Sequence, residues 1–173
     1  MAENKSFRQE IGEMKQFVDF ISEDIENVKR VIGAVEEADI DAEFMVHAKS
    51  ETVAESAENT DVDERDIVKT LVFISDGPVA FLCPGDKRVS EDKIEEITGR
   101  KARMADPGEV EEATGYVIGG VSPFDLDIPV YMEEELLHRD KVKPAAGSRV
   151  VGISLDPSKL KDLADAEAED IAE

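Results

Sequence analysis

Between Phe7 and Val35 the apolar positions return every three or four residues, at Phe7, Ile11, Met14, Phe17, Ile21, Ile25, Val28 and Ile32. That period predicts an amphipathic helix, or a helical pair, with acidic residues on its outer face. A helix packed on its own domain fits the pattern, and a coiled-coil partner helix is the alternative. Glu43 to His47 reads as a short strand, and Thr52-Val-Ala-Glu55 as a capping box, in which hydroxyl and carboxylate each satisfy a free amide at a helix start. A polar turn, Asn59 to Arg65, leads into two apolar runs, Ile67 to Ser75 and Val79 to Cys83. Asp76-Gly77-Pro78 joins them, which is a hairpin signal.

Farther on, Ser90 is placed to cap a helix through Ile97 that stops at Gly99. A short strand, Ala102 to Met104, precedes Asp106-Pro107, which starts a helix to Ala113 ended by Gly115. Tyr116 to Val121 reads as a strand broken by paired glycines, Ile128 to Met132 as another strand, and Glu133 to Leu137 as a helical turn. Strands over Lys141 to Ala145 and Arg149 to Leu155 follow. Asp156-Pro157 then caps a helix expected to reach about Ala168, before an acidic frayed tail. Without an internal repeat or long linker, this is a strand-rich α+β domain. Its divisions are residues 1–27 as an N-terminal helical extension, 28–166 as the domain proper, and 167–173 as the tail.

Composition narrows the picture. With 41% hydrophobic residues, 173 in all, the chain can bury a real core, but 5% aromatics and no Trp make that core aliphatic. No apolar run approaches bilayer thickness, so no membrane partner is expected. Residues Met1 to Glu10 carry charges of both signs without an apolar segment, so no secretory signal is expected. One cysteine, Cys83, excludes an internal disulfide and fits a cytoplasmic location.

Charge changes the picture more. Acidic residues number 42 against 20 Lys and Arg, a formal net charge of -22, which repels nucleic acid at long range. Either the surface is adapted to a salty cytoplasm, where repulsion is screened within a few Å, or it meets a basic partner. The acid is uneven. Residues 1–66 hold 19 acidic and 7 basic side chains, whereas residues 67–154 hold 16 and 11, so a polyanion would dock on the middle of the chain.

Two features there carry chemistry. Lys69 sits in Asp-Ile-Val-Lys-Thr-Leu-Val-Phe-Ile, and strand alternation puts it on one face with Ile67, Leu71 and Phe73. A lysine on an apolar face snorkels out, pairs with a carboxylate, or faces a cavity, where desolvation can lower its pKa. The second feature is Gly115-Tyr-Val-Ile-Gly119-Gly120-Val121-Ser122-Pro123. Glycines inside a strand call for a bulge or a close-lying ligand, and bare amides can donate to a carbonyl or phosphate oxygen.

Together, Ile67-Val-Lys-Thr-Leu-Val-Phe73, Met104-Ala-Asp-Pro107 and Gly115-Tyr-Val-Ile-Gly-Gly-Val-Ser-Pro-Phe124 stand in the order and approximate spacing of the prolyl-tRNA editing (YbaK/ProX) family of aminoacyl-tRNA deacylase domains. Ala146-Gly147 and Asp156-Pro-Ser-Lys-Leu160 look like that family's closing segment. The resemblance covers roughly Val28 to Ala166. It implies a mixed, barrel-like β-sheet surrounded by helices, and a trans-editing hydrolase that frees a small amino acid, alanine or cysteine, from tRNA for proline. Lys69 would be the catalytic lysine. Gly115, Gly119, Gly120, Val121, Ser122 and Pro123 would wall the aminoacyl pocket, with the glycine amides near the ester. The aminoacylated tRNA 3′ end is then the partner, with prolyl-tRNA synthetase a further one, and neither metal nor other cofactor is implied. Specificity would come from a small cavity that rejects larger side chains.

Where many relatives follow Ser-Pro with a residue and then Gly, this chain has Phe124-Asp125, and residues 1–25 lie outside the resemblance. That substitution favours the rival reading, a non-catalytic module that binds aminoacyl-tRNA or a synthetase; a partner-docking N-terminal helix is a third. Among basic residues interspersed with acids, Lys87, Arg88, Lys93, Arg100, Lys101 and Arg103, the last three are the candidates for tRNA backbone contact. His47 reads as a surface or core residue, and Cys83 as a small buried hydrophobe.

Overall fold

The computed structural model describes residues 6–46 and 62–173. Helix α1 (Phe7–Ala38) is one continuous helix of 32 residues. Ser6 and Gln9 form a reciprocal capping box at its start, and Asp39 closes it in the left-handed conformation. Its first turns stand clear, with Phe7, Ile11, Met14 and Val18 exposed, while Val31 and Val35 are buried. Phe17, Phe20, Ile21 and Val28 pack beside that core. The expected boundary at residue 27 therefore falls inside an unbroken helix.

Eight strands follow among the described residues: β1 (Ala42–Val46), β2 (Ile67–Ile74), β3 (Pro78–Pro84), β4 (Arg103–Met104), β5 (Val130–Glu133), β6 (Lys143–Ser148), β7 (Val151–Leu155) and β8 (Ala166–Glu169). They form one mixed sheet in the order β1-β7-β6-β2-β3-β5-β8, with β4 also paired to β2. The β2–β3 hairpin is antiparallel; β2–β6, β3–β5 and β5–β8 are parallel. Helices α2 (Glu91–Thr98), α3 (Pro107–Thr114) and α4 (Pro157–Leu163) complete the expected α+β fold. Ser90, Asp106 and Asp156 cap them, and Gly99 and Gly115 end the first two at positive φ.

Strand alternation splits the core in two. Val68 and Val72 of β2, with Ala80 and Leu82 of β3, join the main cluster that α1, β6 and β7 complete. Phe73 and Phe81 point the other way and meet Ile94 of α2 and Ile171. Phe73 packs edge-on against Phe81, which stacks on Tyr131.

Two expectations need correction. Tyr116 to Val121 is not a strand. A hydrogen bond of 3.0 Å from the Gly120 amide to the Val117 carbonyl, with Gly119 at φ +92, makes it a tight turn. The C-terminal helix stops at Leu163 instead of about Ala168, and Ala166–Glu169 is strand β8, paired with β5. Asp165 at φ +50 breaks the helix, and Ala-Glu-Ala-Glu then turns its alanines inward and its glutamates outward. Beyond it Ile171 and Ala172 are buried, their amides each donating to the buried Glu133 carboxylate at 2.8 Å. The capping box at Thr52 to Glu55, residues 59–61 at the start of the polar turn and His47 lie outside the described residues.

Candidate active site

Lys69 lies in the middle of β2, in register with Cys83 of β3, so the two side chains share the face that carries Leu71 and Phe73. Its ammonium is half-buried and donates to the Lys87 carbonyl. No carboxylate pairs with it among the described residues. It borders a cavity of about 560 Å³. Leu71, Phe73, Val89 and Met104 give that cavity an apolar side, and Arg88, Ser90, Glu91, Asp92 and Glu173 a polar one. The Pro84-Gly85 turn after β3 carries residues 87–92 back over β2, and β4 sets Met104 beside Phe73. Sequence reasoning singled out Lys69 but did not bring Ser90 and Met104 to the lining of the same cavity; only the hairpin register, read together with that turn, hinted at the overlap.

Cys83 is fully buried, and that burial pushes its thiol up to about 11. At neutral pH it is a thiol, not a thiolate, and a poor nucleophile.

The glycine-rich loop has its own architecture, and its residues are not in the described lining of the Lys69 cavity. Its second half turns inward: Gly120, Val121, Ser122, Pro123 and Phe124 are buried, while Gly115 and Gly119 are exposed. The Gly120 amide is already engaged by Val117 within the turn. A Cβ on Gly120 would lie 2.9 Å from the Ser148 Cα, so the glycine lets the loop press on the end of β6. The Gly119 amide makes no backbone hydrogen bond among the described residues. Beside it, Arg149 donates from Nε to the Ile118 carbonyl at 3.3 Å and sets its guanidinium over the Phe20 ring of α1.

Arg30 of α1 grips the loop at both ends. It donates from Nη1 to the Thr114 carbonyl at 2.8 Å and from Nε to the Asp125 carboxylate at 2.7 Å. Its Nη2 donates to the Asp125 carbonyl, and its guanidinium carbon lies 4.1 Å from the centroid of the Tyr116 ring. The Tyr116 hydroxyl donates to the Phe124 carbonyl at 2.8 Å, and burial pushes that phenol up to about 12. Asp125 sits at φ +56, which aspartate tolerates, so the side chain there leaves the turn's backbone intact.

Of the three basic candidates, Arg100 pairs with Asp76 at 3.1 Å. Arg103 makes a two-pronged contact with Glu109 at 2.7 and 2.8 Å, which holds that carboxyl down at about 2. Lys101 is exposed, with no ion pair among the described residues.

Comparison with known proteins then bears on this geometry. The sequence profile of the aminoacyl-tRNA editing domain matches residues 47–163. The uncharacterized protein YwhH of Bacillus subtilis (strain 168) is 39% identical over 118 residues, 66% of this chain and 75% of YwhH. The Enterococcus faecalis protein named "Putative Cys-tRNA(Pro)/Cys-tRNA(Cys) deacylase EbsC" is 31% identical over 130 residues, 72% of this chain and 77% of EbsC. Among solved structures, the hypothetical protein APE2540 superposes with a TM-score of 0.78 at 32% identity, covering 83% of this chain and 99% of that one.

Proposed function

The chain belongs to the aminoacyl-tRNA editing domain family, and on that footing we propose that it is a trans-editing hydrolase that deacylates mischarged aminoacyl-tRNA. Its substrate class is a small amino acid, cysteine or alanine, esterified to tRNA for proline; the likeness to EbsC supports the cysteine ester. The observation that carries the reading is Lys69. An ammonium in an apolar strand, beside a cavity and held by a carbonyl instead of a carboxylate, remains free to orient an incoming ester or the terminal phosphate.

The chemistry needs no protein nucleophile. Water, oriented with the help of the ribose 2′-OH, adds to the ester carbonyl. The bond from carbonyl carbon to ribose oxygen breaks, and that oxygen takes the proton the water gives up. In this reading Lys69 acts by position and charge, and the loop over residues 115–123, which lies outside the lining of the Lys69 cavity, bounds the aminoacyl group on a separate side and rejects larger side chains. Cys83, protonated at neutral pH, is a neighbour and not an attacking group. Asp125 sits at φ +56, a left-handed conformation open to glycine and tolerated by aspartate, so the residue is compatible with an intact turn in this reading.

The test is turnover of cysteinyl- and alanyl-tRNA for proline, with prolyl-tRNA as control, by the intact chain and by Lys69→Ala. Multiple turnovers on a mischarged species, reduced at least about a hundredfold in the variant, are expected, the scale on which a lost charge-stabilising donor acts. A folded Lys69→Ala chain that deacylates at the original rate would remove Lys69 from the reaction.

A further inference from the structure

We propose that Arg30 is a positioning residue for the loop over residues 115–125, so that α1 is part of the editing site and not an appendage to it. The proposal rests on the reading above, in which that loop bounds the aminoacyl pocket.

One guanidinium reaches both ends of the loop. Its Nη1 holds the Thr114 carbonyl before the loop, and Nε and Nη2 hold the Asp125 side chain and carbonyl after it. The plane between them lies against the Tyr116 ring, whose hydroxyl binds the Phe124 carbonyl from inside. Asn27, one turn earlier on α1, adds a hydrogen bond of 3.1 Å from its side-chain amide to the Gly115 carbonyl. Gly115 makes room for all this: a Cβ there would lie 3.0 Å from Arg30 Nη1, at φ +76.

The pattern of donors is specific to arginine. Three nitrogens in one rigid plane meet three oxygens from two chain segments, a task that the single point charge of lysine cannot perform. The Arg30 side chain is 25% exposed and the Asp125 side chain 61%, so the ion pair alone is a weak surface contact. The strength lies in the two carbonyls and the ring. Closing both ends of the loop with one side chain restricts the conformations that its exposed part, Ile118 and Gly119, explores. A wall that selects by size works only while it stays in place, because a small displacement admits one more methylene.

Two arms test this. In the first, Arg30→Met, Arg30→Lys and Asp125→Asn are compared with the intact chain for kcat/KM on cysteinyl- and prolyl-tRNA for proline. Arg30→Met is expected to lower the cysteinyl-to-prolyl discrimination ratio about tenfold or more, with Arg30→Lys failing to restore it. Asp125→Asn, which keeps the left-handed backbone, should give a partial loss that does not add to that of Arg30→Met. Unchanged discrimination in folded Arg30→Met would overturn the proposal. In the second arm, amide hydrogen exchange is followed on the intact chain and the same variants without any tRNA. Faster exchange confined to residues 115–125 is expected, and unchanged exchange there overturns the proposal whatever the activity. Should the intact chain prove inactive on every ester, the functional reading fails, and the exchange arm still decides whether Arg30 holds the loop. If Arg30→Met does not fold, the exposed Asp125→Asn carries both arms alone.

Discussion

Lys69 and Cys83 face the same way from neighbouring strands, yet their environments assign them opposite duties. The lysine keeps one end at a cavity and its ammonium on a carbonyl. The cysteine is sealed in, and its thiol is pushed up to about 11 by burial, an effect that the nearby Lys69 charge only partly offsets. A thiol of that kind gives almost no thiolate at pH 8. Iodoacetamide at pH 8 is therefore expected to leave native Cys83 unmodified while alkylating it readily in denaturant, and Cys83→Ala to keep its deacylase rate within about twofold. Rapid labelling of the folded chain, or loss of turnover in Cys83→Ala, would return the thiol to the mechanism. At the level of one residue the sequence is informative here: Lys69 stands out because its strand is otherwise apolar, and the reading of Cys83 as a small buried hydrophobe agrees with its full burial, whereas the cavity beside Lys69 is made by residues distant in the chain.

At the scale of elements, signals written within a few residues proved readable and those depending on distant partners did not. Ser90, Asp106 and Asp156 cap helices where the side chain and its target amide are two or three residues apart, and Gly99 and Gly115 end helices by their own conformation. Tyr116 to Val121 looks like a strand because it is largely apolar, but it is a turn that buries Tyr116, Gly120 and Val121 in the core and leaves Ile118 exposed. The alternation of Ala166 to Glu169 is faint among so many acids, and what makes it a strand is β5 alongside and the Glu133 carboxylate holding the segment beyond. The contact of α1 with β6 is of this long-range kind. Gly147 sits at φ +90 where any Cβ would lie 2.6 Å from the Asn27 carbonyl and 2.9 Å from the Val28 amide. Helix backbone cannot give way there as a flexible side chain would, so Gly147→Ala should lift α1 from β6 at a cost of about 1–3 kcal/mol. In thermal unfolding that corresponds to a Tm lower by roughly 2–4 °C per kcal/mol for a chain of this size. A variant melting with the parent would mean that α1 is not seated as closely as this glycine requires.

For the whole molecule the difficulty is how a chain of net charge -22 receives a polyanion. Beyond a Debye length, about 10 Å at 0.1 M salt and 3 Å at 1 M, the repulsion is screened, so what matters on contact is the local distribution. The basic residues of the middle segment approach the cavity through β4, where Arg103 precedes the lining residue Met104. Their availability differs. Glu109 already satisfies Arg103 on two prongs and Asp76 faces Arg100, whereas Lys101 is exposed without such a partner among the described residues. A cation bound to its own carboxylate must exchange that partner for phosphate, and it then releases fewer counterions than a free one. Measured as the slope of log K for tRNA binding against log salt, Lys101→Ala should shallow the slope by about 1. Arg103→Ala should shallow it by clearly less, because it uncovers Glu109 as it removes the arginine. Equal changes in the two variants would show that the Arg103–Glu109 pair opens on binding. No change in either would place the tRNA backbone on a different face, with Arg88 at the cavity as the next cation to replace.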